Sequence, residues 1–519
     1  MSKKRTRALS LTLASGLTAT AALIAIPDAG FAATADTGSR QPTHQHPTIG
    51  WHSCMLGDDD ETGKELDRAG ARCGEVVVPL DYGRPKGRSI TVAMSRLPAT
   101  NRAERLGTLM INTGGPGGSA VGDVLPLHDW LGEVADRFDL VGMDPRFVGR
   151  STPLDCGWPV STWVRGGGPD RASFSRTAAF EADLARRCGA RHADVLPYIS
   201  TRNTARDMDI VRTALGEQKI SYLGYSYGTY LGSVYAQMFP GRTDRLVLDS
   251  AVDPSAYGPR LLRPAGEANE AGLRDWARWT ATHPDQTPPG EPGLGDTEAA
   301  VLATVDRIRS SAAHHPLRVG DFRLDAGSVT GLLLAGLGDD RDEPSADLAA
   351  TVHVLDRAAR GEIAKPTPSL LESLTFLLTG AESEYGSAQS AILCGDAAAP
   401  RDPEVYLRDI RAARVREPRF ATITRNLGPC AFWPILPREH PTVINNPAPA
   451  LIVQSTGDTR TTYQGASALH RVLTGSRMLT LRNARIHAVY GNYANDCVDD
   501  RVNAYLSDGK LPATDVTCR

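Results

Sequence analysis

In the stretch Leu223-Gly224-Tyr225-Ser226-Tyr227-Gly228-Thr229 a serine sits two residues from a glycine on either side, where two unlike segments meet. Upstream, 219–223 is short and mostly apolar, which suits a buried strand. Downstream, 229–239 suits a helix that Pro240-Gly241 stops. A G-x-S-x-G run between a strand and a helix reads as a nucleophile elbow, a turn so tight that a side chain at either glycine would crowd it. The bare pattern also occurs in ordinary loops, so its weight comes from the flanking strand and helix. With them in place, the rest of the chain has to provide a parallel sheet, an acid and a histidine.

Both partners follow in order. The strand at 450–455 ends in Gly457-Asp458, and an acid just past the C-terminal end of a parallel strand lies at the edge where ligands gather. The competing reading of Asp458 is an N-cap for the helix at 463–473. The last strand, 477–481, exits through a loop that delivers His487, whereas His470 falls inside the preceding helix. The order Ser226, Asp458, His487 is that of an α/β-hydrolase. Asp249 or Asp253, at the end of the strand beginning at 245, is the alternative acid. Asp207 and Asp209, on a helix closed by Gly216, read as structural partners of arginines such as Arg146.

The strand at 108–113 runs into Gly114-Gly115-Pro116-Gly117-Gly118-Ser119, where side chains have been removed and backbone N–H groups can approach a ligand. Oxyanion holes are built this way. A phosphate cradle is the competing reading, but the P-loop lysine and spacing are missing. The expected donors are the N–H groups of Gly115 and Tyr227.

At 519 residues the chain exceeds one compact core. The sequence predicts an α/β-hydrolase core in two parts, 51–254 and 446–519. A mostly helical cap, 255–445, is inserted between sheet strands, with helices at 298–311, 345–360 and 370–378 and no strand–helix alternation. Basic residues at 3–7, an apolar run at 8–26 and small residues before Ala32 read as a signal peptide, 1–32, followed by a flexible segment, 33–50. The protein is therefore expected to be secreted, with no membrane attachment after cleavage.

Lys+Arg 57 against Asp+Glu 60 offers no overall attraction to nucleic acid. Eight cysteines in an exported chain argue for disulfides, and they fall into sequential couples: Cys54 with Cys73, Cys156 with Cys188, Cys394 with Cys430, Cys497 with Cys518. Their spacing does not suit a metal, and none is expected.

Taken jointly, these motifs resemble the secreted actinobacterial tripeptidyl aminopeptidase family, α/β-hydrolase serine peptidases related to proline iminopeptidase. The resemblance rests on Gly114-Gly115-Pro116-Gly117, Asp144-Pro145-Arg146, Gly224-Tyr225-Ser226-Tyr227-Gly228-Thr229, Leu248-Asp249 with Val252-Asp253-Pro254, Gly457-Asp458, and the tail from Cys497-Val498 to Cys518. Two positions depart from the pattern: Phe147 and Ile486 stand where the family usually has glycine. The resemblance implies a cofactor-free enzyme, a monomer, that releases short peptides from the free N-terminus of peptides and proteins. A secreted carboxylesterase or lipase would use the same triad. Recognition of a free ammonium calls for carboxylates in the cap, and Glu382, Glu384 and Asp396 are the candidates.

Overall fold

The computed structural model describes residues 47–287 and 292–519. The expected signal peptide and most of the segment after it lie outside the described residues. The strands are β1 (Gly50–His52), β2 (Arg72–Pro79), β3 (Ser89–Leu97), β4 (Gly107–Asn112), β5 (Phe138–Met143), β6 (Ile220–Tyr225), β7 (Thr243–Asp249), β8 (Leu317–Val319), β9 (Phe322–Leu324), β10 (Leu451–Ser455), β11 (Arg477–Leu481) and β12 (Val516–Cys518).

All except β8 and β9 form one sheet in the order β1-β2-β3-β5-β4-β6-β7-β10-β11-β12. The β1–β2, β2–β3 and β3–β5 pairings are antiparallel, and every pairing from β5 onward is parallel. Parallel strands are covered on both faces, so they read as continuous apolar runs, and β5 and β6 are buried at every position.

The two-residue period of a strand divides these side chains between two cores. Met110, Tyr222, Leu248, Ile452 and Met478 point to one core, where the helices Thr201–Ala214 and Tyr227–Met238 also bury their apolar sides. Leu109, Leu223, Val247, Val453 and Leu479 point to the other, against the helices Val124–Leu131 and Asp496–Asp508.

Between β7 and β10 the chain leaves the sheet for a helical insertion that includes Ala265–Thr282, Glu298–His314, Ala326–Gly336, Asp342–Ala359, Pro368–Leu378, Ser383–Asp396 and Pro403–Ala413. It also holds the small antiparallel hairpin β8–β9, which periodicity does not reveal because each strand has only three residues. A second element absent from the sequence reading is the 22-residue helix Arg171–His192, which opens with a capping box between Asp170 and Ser173.

All eight cysteines are bridged as the sequential couples, with Cα–Cα distances of 4.8, 4.6, 5.1 and 5.7 Å in chain order. Among the described residues no helix is long and apolar enough to cross a membrane.

Candidate active site

β6 ends at Tyr225 and the helix begins at Tyr227, so Ser226 alone makes the turn, at φ 53° and ψ −121°. A non-glycine residue held there stores about 1 to 3 kcal/mol of strain, which the surroundings must hold in place. The Ser226 N–H donates to the carbonyl of Asp249 at 3.0 Å, and its carbonyl accepts from Thr229 N at 2.9 Å and Thr229 Oγ1 at 2.6 Å. The flanking glycines are steric necessities: a Cβ on Gly224 would lie 2.5 Å from Gly228 O, and one on Gly228 would lie 2.2 Å from Asn112 O.

The glycine loop after β4 folds over this turn. Gly114, Gly115 and Gly117 all have φ between 102° and 106°. A Cβ on Gly114 would lie 3.0 Å from Tyr227 N and 3.1 Å from Ser226 Cβ. The two amides expected to act as donors are thus carried by segments in contact, and Tyr227, as the first helical residue, has no intrahelical acceptor for its N–H. Beyond the loop, the buried Asp144 carboxylate accepts from Ser119 Oγ, Ala120 N, Val121 N and Arg150 N at 2.7 to 3.1 Å. Burial pushes this carboxyl up in pKa, and those four bonds oppose the push.

Asp458 and His487 meet. His487 Nδ1 lies 3.0 Å from Asp458 Oδ2 and 3.2 Å from Oδ1. Asp458 also accepts from Arg460 N at 2.7 Å, Thr461 N at 3.0 Å and Thr461 Oγ1 at 2.8 Å. Burial alone would raise the Asp458 carboxyl, but the facing His487 ring and these donors outweigh it and hold it below the ordinary range. With the Nδ1 proton directed at Asp458, Nε2 is left as the basic nitrogen. His470, by contrast, bonds Ser476 Oγ at 2.7 Å and faces Asp515.

Asp249 faces the loop beyond the histidine rather than its ring. Its carboxylate accepts from Val489 N at 2.9 Å, Tyr490 N at 2.7 Å and Ser250 Oγ at 3.0 Å, while Ser250 Oγ accepts from Ala488 N at 2.8 Å. Because the Asp249 carbonyl also receives the Ser226 N–H, this one residue ties the elbow to two of the three amides after His487, and Ser250 holds the third. Sequence reasoning missed that arrangement, and also missed Thr461 beside the Asp–His pair. Asp253 is used locally, accepting from Ser255 N and Oγ. Asp207 is a structural partner of Arg146, in a fully buried bidentate pair at 2.6 and 2.7 Å.

The three acids expected at the ammonium site separate. Asp396 is buried, accepting from Thr201 N at 2.7 Å, Thr201 Oγ1 at 2.6 Å and Tyr257 OH at 2.9 Å. Burial pushes it up to about 6 against those bonds. Thr201 Oγ1 lies 2.8 Å from Tyr227 OH, so Asp396 braces the side chain next to Ser226 and is not free in an open pocket. Glu382 and Glu384 are exposed residues at the start of the helix Ser383–Asp396, although partial burial of the Glu382 carboxyl raises it. That helix rests on the glycine loop: a Cβ on Gly117 would lie 2.8 Å from Tyr385 O, and one on Gly115 would lie 3.4 Å from Tyr385 OH.

Of the two departures from the family pattern, Phe147 takes φ 66°, the left-handed region where glycine fits without strain. Ile486 is buried, and its carbonyl accepts from Ser455 Oγ at 2.7 Å.

A family model described as alpha/beta hydrolase fold matches residues 107–290, and one described as TAP-like protein matches 419–518. The chain is 36% identical over 467 residues to a tripeptidyl aminopeptidase of Streptomyces lividans, covering 86% of this chain and 83% of the relative. This chain belongs to the tripeptidyl aminopeptidase family. Within the family's reach it is also 30% identical over 477 residues to the serine protease Hip1 of Mycobacterium tuberculosis, with 86% and 87% of the two chains covered. It is 31% identical over 516 residues to a protein of the same organism named carboxylesterase B, with 91% and 90% covered. The chain is accordingly a serine hydrolase of α/β-hydrolase fold.

Proposed function

We propose that this chain is an exported serine exopeptidase that releases short peptides, tripeptides above all, from the free N-terminus of peptides and proteins. One observation carries the reading. Two loops that follow neighbouring parallel strands, β10 and β11, bring Asp458 and His487 within 3.0 Å, at the same sheet edge as the strained elbow that follows β6.

Ser226 Oγ attacks the scissile carbonyl, His487 Nε2 takes its proton and returns it to the leaving amine, and Asp458 holds the ring in the productive tautomer. The N–H groups of Tyr227 and Gly115 receive the oxyanion, each contributing about 3 kcal/mol to the transition state. The helical insertion forms the roof, and Glu382 or Glu384, on the helix that touches the glycine loop, receives the substrate ammonium. The four bridges fit an oxidising compartment, and the leader 1–32 would be removed on the way there.

The relative named carboxylesterase B favours a second reading, ester hydrolysis by the same triad. Chromogenic tripeptide substrates, free and N-acetylated, assayed beside a short-chain ester separate the two. The exopeptidase reading expects kcat/KM to fall at least tenfold on acetylation and the ester to be the poorest of the three. A preference for the ester, with no effect of acetylation, would replace it with the second reading.

A further inference from the structure

The end of one helix in the insertion is fastened to both catalytic loops. The helix Ala326–Gly336 finishes at Leu337, whose N–H caps Leu334 O at 3.3 Å, and the carbonyls of its last turn and of the segment beyond form the negative end of the helix dipole. Arg460 Nη2 donates to Leu334 O at 2.6 Å and to Ala335 O at 2.8 Å. Arg485 Nη1 donates to Leu337 O at 2.9 Å and to Asp339 O at 2.8 Å. Thr459 Oγ1 adds a bond to Leu337 O at 2.9 Å, and the backbone N–H of His487 itself donates to Gly338 O at 3.0 Å. Arg485 N closes the set on Asp340 Oδ2 at 2.6 Å.

The positions matter as much as the bonds. Arg460 lies two residues after Asp458 and Arg485 two residues before His487, so each guanidinium reaches the insertion from the loop that presents one member of the pair. Arg460 also gives its own N–H to Asp458 Oδ1 at 2.7 Å, which makes it a direct link between helix end and carboxylate. Both arginines are buried, at 4% and 5% exposure, where a guanidinium is costly unless it is well paired. Carbonyls at the negative end of a helix suit such a charge, and Asp458 near Arg460 and Asp340 near Arg485 add opposite charge. Burial lowers both, Arg460 to about 10, which leaves it cationic at neutral pH.

We propose that Arg460 and Arg485 are positioning residues that make the alignment of Asp458 and His487 depend on the docking of segment 334–340. The insertion then acts on the catalytic pair as well as on the substrate. This rests on the Ser226–Asp458–His487 reading, and the test separates the two.

Full-length wild type, Arg460→Met, Arg485→Met and Arg460→Lys are compared in two assays: turnover of a free-amine tripeptide substrate, and labelling of Ser226 by a small fluorophosphonate too short to engage the insertion. Circular dichroism verifies folding. The expected result is a fall in kcat of roughly 10- to 100-fold in each Met variant with KM changed less than about threefold. Labelling should slow in parallel, and the Lys variant should recover part of both rates. No labelling of wild-type Ser226 would refute the triad reading itself. Wild-type labelling rates in both Met variants, with turnover lost only through KM, would overturn the positioning proposal. Should the Met variants fail to fold, Thr459→Val, which removes one bond to Leu337, takes their place. A several-fold slower labelling supports the proposal, and an unchanged rate overturns it.

Discussion

Ser226→Ala and His487→Ala should each lower kcat by roughly 10^4-fold or more while leaving the chain folded, and Asp458→Asn should fall less far because the ring keeps its place and loses only its tautomer control. Steady-state kinetics with circular dichroism as a control checks this, and near-normal turnover in His487→Ala would turn attention to His470. At Asp249, burial pushes the carboxyl up from 3.8 to about 7 despite the amides of Val489 and Tyr490. Between those values the folded chain holds a proton that the unfolded chain has released, so this group's stabilising contribution declines as pH rises through the window and levels off above about 7. Asp249→Asn has no such titration. The difference in Tm between wild type and variant should therefore change between about pH 4 and pH 7, and a pH-independent difference would contradict the assignment. Phe147 sets two effects against each other. Its left-handed backbone costs about 1 to 2 kcal/mol, yet its ring is 3% exposed in the core, and emptying such a site costs about 3 to 5 kcal/mol. Phe147→Gly should thus lower stability by about 1 to 4 kcal/mol in a denaturant titration, even though it restores the family's usual residue.

The strands that carry the chemistry were legible because burial on both faces turns them into apolar runs with turn residues at their ends. The readings at 219–223, 450–455 and 477–481 fall on β6, β10 and β11 within about two residues. The helix Arg171–His192 was not legible, since its buried face includes Thr177 and Glu181 among Phe174, Leu184 and Cys188, and polar residues on that face erase the 3.6-residue pattern. The Asp–His geometry could be anticipated from element order alone. The part of Asp249 and the burial of Asp396 could not, because both depend on partners 139 to 241 residues away. The elbow itself yields a sharp expectation. Gly228→Ala would press a methyl to 2.2 Å from the carbonyl oxygen of Asn112, the last residue of β4. That variant should lose soluble yield and activity together, and a well-folded, active Gly228→Ala would show that the turn yields to the added methyl.

Across the whole molecule the sheet closes late. β10 pairs with β7, a strand laid down before an insertion of roughly two hundred residues, and β11 and β12 are then added outward from β10. The four bridges do not span that gap. Their sequence separations are 19, 32, 36 and 21 residues, loops for which the chain-entropy model gives about 3 to 4 kcal/mol each. Peptide mapping without reduction should recover four sequentially linked pairs and no alkylated cysteine. The sequential, non-overlapping order of the couples has a further consequence for maturation under the export proposed above. A polypeptide threaded N-terminus first through a membrane channel shows its cysteines to the oxidant one couple at a time, and each first thiol meets its proper partner before any later couple has emerged. Correct pairing then follows from the order of delivery, with little need for an isomerase to undo mistakes. The same chain released all at once, by dilution from denaturant under oxidising conditions, would have to find four correct pairs among eight exposed thiols.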